Sequence, residues 1–163
     1  EKVAMANVAQ LINCIQSVFL AHDDKFTVTP VYHVFAMYVA HQGAQSVRTL
    51  VSAPRVSWTA KDGKPATFWG LNGSASVNGR ELTLTVTNSS MTEPRETEIV
   101  VRGAAVQAIR ATTLTAPSVH DVNSFDHPDV VRPVTADLAM RSSPLVYSFP
   151  PASVTKLTVT LAG

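Results

Sequence analysis

The sequence predicts a mainly β protein, a jelly-roll-like antiparallel β-sandwich preceded by two helices. Three observations carry this prediction. Val, Leu and Thr alternate in short runs cut by turns through most of the chain, nine of the ten prolines fall after residue 50, and the opening stretch holds two apolar segments of helical period almost free of charge.

Between Val3 and His22 there is no Asp, Glu, Lys or Arg, and after Asp23, Asp24 and Lys25 none recurs from Phe26 to Val47. Ala4, Val8, Leu11, Ile15 and Val18 recur at helical spacing, and Met5, Ile12 and Phe19 widen the apolar face, so a first helix buried on most sides is expected. Pro30 suits the first turn of a second helix, with Val31, Val34, Phe35 and Tyr38 on one side and Gly43 at its end. Helices so free of charge need partners, as do those packed on the sheet of a large α/β protein. The texture changes between residues 43 and 47, which divides the chain into a helical segment, 1-46, and a β domain, 47-163.

Within the β domain, Leu82, Leu84 and Val86 alternate with Thr83, Thr85 and Thr87, and Leu157, Val159 and Leu161 alternate with Lys156, Thr158 and Thr160. Each run reads as a half-buried strand. Asn78-Gly79 lies between the run Thr67 to Val77 and the first of these strands, a strong hairpin signal. Runs at Arg95 to Val101, Val106 to Leu114 and Leu145 to Phe149 bring the expected total to seven or eight strands.

Composition narrows the function. Lys and Arg number 13 against 12 Asp and Glu, a net charge of +1 with no basic cluster, which argues against a nucleic-acid partner. Asn7, Gln10, Asn13 and Gln16 interrupt the best apolar stretch, so no run of about eighteen apolar residues is available to span a membrane. The single cysteine, Cys14, cannot form an internal disulfide and reads as a small buried hydrophobe. The chain opens on Glu1 rather than methionine, so it is expected to be processed or cut from something longer.

Motifs for covalent or phosphate chemistry are absent: there is no GxSxG, no GxGxxG and no Walker-type lysine. The run His120 to Asp129 concentrates metal-ligand residue types, yet its spacing matches neither HExxH nor a calcium loop. It is expected to be a structured connection with no metal. Trp58, Phe68 and Trp69 have the chemistry of a sugar-stacking platform, against which stands ordinary core or inter-domain packing. Asn72-Gly73-Ser74 and Asn88-Ser89-Ser90 match the glycosylation sequon but are expected by chance in such turns.

Four blocks together resemble a known family. Met5-Ala6-Asn7-Val8-Ala9-Gln10-Leu11-Ile12-Asn13, then Thr29-Pro30-Val31-Tyr32-His33-Val34-Phe35-Ala36-Met37-Tyr38, resemble the end of the catalytic barrel of the α-L-arabinofuranosidases of glycoside hydrolase family 51. The run His120 to Val131 and Pro150-Pro151-Ala152-Ser153-Val154 resemble that family's C-terminal sandwich. The resemblance implies that the two helices belong to the end of a (β/α)8 barrel. It also implies a retaining hydrolase that removes terminal α-L-arabinofuranosyl groups from arabinan- and arabinoxylan-type saccharides, without a cofactor and as an oligomer. Gln10 matches the family glutamine that contacts the sugar.

Retaining hydrolysis uses two carboxyl groups about 5 to 5.5 Å apart. None of the twelve acids here sits in a strand-end setting with such a partner, and the family's catalytic glutamate motifs are not found in the chain. No catalytic residue is therefore expected within it, and an upstream barrel portion is the expected partner. The family sandwich is also completed by a strand from before the barrel. The alternatives are a free-standing carbohydrate-binding sandwich, with Trp58 and Trp69 as its platform, and an oligomerisation module.

Overall fold

The structure, a computed structural model, describes residues 7–8, 10–139 and 145–163. Its centre is a six-stranded antiparallel sheet whose last strand in sequence lies in the middle. In chain order the strands are β1 (Phe19–His22), β2 (Lys25–Val28), β3 (Gln45–Val47), β4 (Val56–Thr59), β5 (Pro65–Phe68), β6 (Leu71–Asn78), β7 (Glu81–Asn88), β8 (Arg95–Ile99), β9 (Val106–Leu114), β10 (Val134–Leu138), β11 (Leu145–Phe149) and β12 (Ser153–Leu161). The central sheet runs β10-β9-β12-β7-β6-β3; β8 and β11 pair as a second layer, and β1-β2 and β4-β5 are separate hairpins.

Period-two alternation decides which way the central strands face. Leu157 pairs with Leu84 on one side and Ala111 on the other, and Val159 with Leu82 and Ile109. These side chains share one face and meet Phe149 of β11 in the core, where Leu157, Val159 and Phe149 are almost fully buried. Three polar contacts join the layers. Asn88 Nδ2 lies 3.0 Å from the Phe149 carbonyl and 2.9 Å from that of Pro150, and Tyr147 OH is 3.0 Å from Thr113 Oγ1. The expected runs at residues 106–114 and 145–149 form strands with those bounds, and Leu82, Leu84 and Val86 of β7 and Leu157, Val159 and Leu161 of β12 point inward.

The Asn78-Gly79 signal is a tight hairpin: Asn78 pairs with Glu81, and Gly79 takes a left-handed φ of 57°. Upstream, the run expected from Thr67 to Val77 is broken at Trp69-Gly70 into β5 and β6. The break has a steric cause: a Cβ at Gly70 would lie 1.9 Å from the Pro54 carbonyl oxygen, so the neck of the β4-β5 hairpin closes only over glycine. Strands β1 to β4 and β10 were not expected; they are short, and exposed residues make up most of β3, β4 and β10.

One α-helix, α1 (Pro30–Tyr38), continues into a 3-10 turn, Val39–His41, ahead of Gly43 in the left-handed region. It lies on the sheet face opposite the second layer, where Met37 and Val34 pack with Leu114, Val131 and Val154. Of the expected side Val34 packs inward, beside Met37, which was not expected, whereas Phe35 and Tyr38 remain 43% and 38% exposed. The threonine face of β7, expected to be the open side of a half-buried strand, is covered too, with Thr83 and Thr85 buried.

The first expected helix does not form among the described residues. Residues 10–18 are irregular, with Asn13 and Gln16 at positive φ, 54° and 59°. The Asn13 carboxamide is the physical reason: it donates to the Ala21 carbonyl and accepts from the Ala21 N–H, both at 2.8 Å, so a residue read as part of a polar stripe grips a neighbouring strand. Phe19 starts β1 instead of extending a helix, and Ala4 and Met5 lie outside the described residues.

Two substitutions test this packing. Leu157→Ala is expected to lower unfolding free energy in urea by about 2–5 kcal/mol through the cavity it leaves, and Gly70→Ala by about 1–3 kcal/mol through overpacking. Wild-type stability in Gly70→Ala would contradict the close approach of Pro54.

Candidate functional site

The side chains that invite a chemical reading lie in five places. The first is an open groove of about 420 Å³ between the start of α1, the end of the central sheet and the loop after β9, lined by Met91, Leu114, Val119, Val131 and Val154 among others. Its one carboxyl group, Asp121, accepts a hydrogen bond from the Ser118 N–H at 3.0 Å and is spent on shaping its own turn. A groove with a single carboxyl group lacks the pair that glycoside hydrolysis uses.

The loop containing His120 to Asp129 is built as a connection. Asn123, 4% exposed, holds it closed: its Nδ2 donates to the carbonyls of Val131 (3.0 Å) and Val28 (3.1 Å), and its Oδ1 accepts from the Val131 N–H (2.8 Å). Ser124 Oγ accepts from the His127 N–H, and Asp126 pairs with Lys25 of β2 at 3.7 Å. Among the described residues no three His, Cys, Asp or Glu side chains converge on a point that could hold a metal ion. Cys14, read as a buried hydrophobe, is half-buried, and its thiol approaches the carbonyls of Gln10 and Ile15.

The β4-β5 hairpin sorts its aromatics onto two faces. Val56 pairs with Phe68 and Trp58 with Ala66, which places Trp58 and Phe68 on one side, each about half exposed. Trp69 belongs to the other side, beneath the Arg55 guanidinium at 4.6 Å from the ring centroid, while Arg55 Nε donates to Thr67 Oγ1. Trp58 and Trp69 therefore do not form one platform. Of the two sequons, Asn72 is exposed, whereas Asn88 is 1% exposed with its carboxamide committed between the sheets.

The fourth place was missed by sequence reasoning. His41, in the 3-10 turn, sits between Ser76 Oγ (2.7 Å from Nδ1) and Thr85 Oγ1 (3.0 Å from Nε2), and Thr85 is shared with Ser74 Oγ at 3.1 Å. The ring thereby pins the helical segment to the threonine face of the sheet. Only alternating Thr and Ser on β6 and β7 hinted at a hydroxyl-lined surface, and nothing local pointed to the histidine. Burial, and secondarily the positive charge of Lys156, hold the His41 pKa below its ordinary 6.5. Burial also lowers the His33 pKa, against the opposing charge of Asp129, and His33 Nε2 is buried without a protein hydrogen-bond partner among the described residues.

Gln10, the expected sugar contact, is an exposed residue immediately before Leu11, whose carbonyl accepts from the N–H groups of Val18 and Phe19. Exposed apolar side chains recur through the opening segment and α1: Leu11 is 62% exposed, Ile15 89%, Phe26 60% and Val39 54%. No helix among the described residues is long and apolar enough to cross a membrane.

The model of the α-L-arabinofuranosidase C-terminal domain family matches residues 1–153. The chain belongs to that family. An intracellular exo-α-L-arabinofuranosidase of Bacteroides ovatus is 29% identical to this C-terminal domain over 133 residues, 82% of this chain and 25% of that protein. The family 51 arabinofuranosidase structure from Xanthomonas axonopodis pv. citri superposes with a TM-score of 0.85 at 28% identity, covering 97% of this chain and 31% of that one. The α-L-arabinofuranosidase of Thermotoga maritima, solved as an arabinose complex, gives 0.79 at 25% identity, covering 94% and 33%. The domain thus spans a quarter to a third of the length of these relatives.

The lowered histidine pKa values set a direction for pH dependence. The unfolded chain takes up protons near 6.5 that the folded chain accepts only at lower pH, so this stability is complete above that value and is lost as pH falls through the folded values. The melting temperature is expected to fall between about pH 7.5 and about pH 5, and less steeply in His41→Gln. Identical acid profiles for the two proteins would remove His41 from this account.

Proposed function

We propose that this chain is the C-terminal portion of a retaining α-L-arabinofuranosidase that removes terminal α-L-arabinofuranosyl groups from arabinan- and arabinoxylan-type saccharides. Residues 1-46 close its catalytic barrel, and residues 47-163 form the sandwich that buttresses it. Both catalytic carboxylates come from the upstream portion, and Gln10 contacts the sugar. The complete enzyme is a homo-oligomer.

The observation that carries this reading is the number of large apolar side chains left exposed in the opening segment and α1. A folded domain gains nothing by exposing Leu11, Ile15, Phe35 and Val39 unless another surface covers them. The second layer of the sandwich supports the same reading, since β8 and β11 are its only strands among the described residues. An added upstream strand would complete it.

Assayed with an aryl α-L-arabinofuranoside, the isolated 163-residue chain is expected to show no hydrolysis, while the enzyme with its upstream portion hydrolyses it. Phe35→Asp is expected to change the stability of the isolated chain by less than about 0.5 kcal/mol, as an exposed substitution, and to cost the complete enzyme activity or assembly. Turnover by the isolated chain would overturn the reading.

A further inference from the structure

The β1-β2 hairpin, Phe19–Val28, has a face that the buttressing role does not use. Phe19 pairs with Val28 and Ala21 with Phe26, so these four side chains point to the same side, opposite Leu20 and buried Thr27. On that side the Phe26 ring is 60% exposed and is backed by Phe19 at 5.3 Å, which is itself backed by Tyr32 of α1 at 5.7 Å.

The hairpin is held in place along its length. The Asn13 carboxamide grips both backbone groups of Ala21, Thr29 Oγ1 donates to the Ser17 carbonyl at 2.6 Å, Asn123 donates to the Val28 carbonyl, and Lys25 pairs with Asp126. Its tip stands in water: the side chains of His22, Asp23 and Lys25 are 76%, 85% and 57% exposed. Charged groups are depleted from the cores of protein interfaces. An exposed ring one residue from such a tip therefore belongs to a rim that water reaches, unlike Phe35 and Val39 on α1.

Resting on the proposed function, in which α1 is the last barrel helix, the geometry points to the β1-β2 hairpin as one wall of the substrate cleft, with Phe26 stacking on the sugar next to the arabinofuranosyl group that is removed. In (β/α)8 enzymes the active site is built from the loops that follow the strands and precede the helices. This hairpin is such a loop, since it immediately precedes α1. The bridge between Ile12 and Phe19 ties it to the segment that carries Gln10, so a hydrogen-bonding amide and an aromatic face lie on one supported unit. That pairing suits a neutral polyhydroxylated ring, with apolar C–H faces for Phe26 and hydroxyls for the amide. Phe26 is a specificity-determining residue in this account and takes no part in bond cleavage.

The test compares the complete enzyme with its Phe26→Ala, Phe26→Leu and Phe26→Trp variants on an α-1,5-linked arabinotriose and on methyl α-L-arabinofuranoside, whose aglycone is too small to stack. The ratio of kcat/KM for the trisaccharide to that for the methyl glycoside is expected to fall about tenfold in Phe26→Ala and Phe26→Leu, mainly through KM, and to be retained in Phe26→Trp. Phe26→Leu keeps the bulk and removes only the aromatic face, so it carries the test if Phe26→Ala does not fold. An unchanged ratio in the folded variants overturns the stacking role and leaves the proposed function standing. A wild-type enzyme inactive on both substrates overturns the proposed function and this inference with it.

Discussion

Insertion of β12 between β7 and β9 is the constraint on which the rest of the domain depends. Without it the central sheet would separate into β10-β9 and β7-β6-β3, two ribbons with no hydrogen bonds between them. Its inward residues Thr155, Leu157 and Val159 are the floor on which Phe149 of the second layer rests, and on its other face Val154 receives α1. A strand that meets both covered faces cannot shift register by one residue without turning Leu157 and Val159 out of the core and Lys156 and Thr158 into it.

The two faces of the central sheet are covered by different means. One is a mainly apolar contact with the second layer, where Asn88 and Tyr147 make the crossing polar bonds. The other mixes the small Met37 cluster with hydroxyl groups arranged around His41. Asn123 then closes the loop that flanks α1 and ties it to the end of the hairpin before the helix. The exposed apolar side chains of this segment are displayed on a support that is itself hydrogen-bonded in place, as a docking or substrate-facing surface requires.

Much of this was legible in the sequence where burial and periodicity agree. The alternation in β7 and β12, the ends of β9 and β11 and the Asn-Gly turn follow from side-chain geometry on a pleated strand, and the structure keeps them. The opening segment misled because helical spacing records which residues are apolar but not what a polar residue between them does. Asn13 is a carboxamide that completes another strand's hydrogen bonds, and that partner is invisible to a window of local sequence. The same limit hid His41 and shifted the buried side of α1 from Val34, Phe35 and Tyr38 to Val34 and Met37, which face the sheet because Leu114 and Val131 are there to meet them. The aromatics could be singled out by residue type and Gln10 only through the family resemblance, whereas the placement of Trp58 and Trp69 on opposite faces depends on the β4-β5 register, which pairs Trp58 with Ala66 and Val56 with Phe68.

The central strand also has a kinetic meaning. Both of its neighbours precede it in the chain, so β7 and β9 must each wait, one edge unpaired, until β12 arrives from a distant part of the sequence. Pairings so far apart fold slowly because loop closure is lost before contacts repay it. During that interval the alternating Thr-Leu-Thr-Val edge of β7 is open to pairing with another copy. Residues that speed the arrival of β12, rather than those that deepen the finished core, are therefore the ones that decide how much of this domain escapes aggregation on the way to its native state.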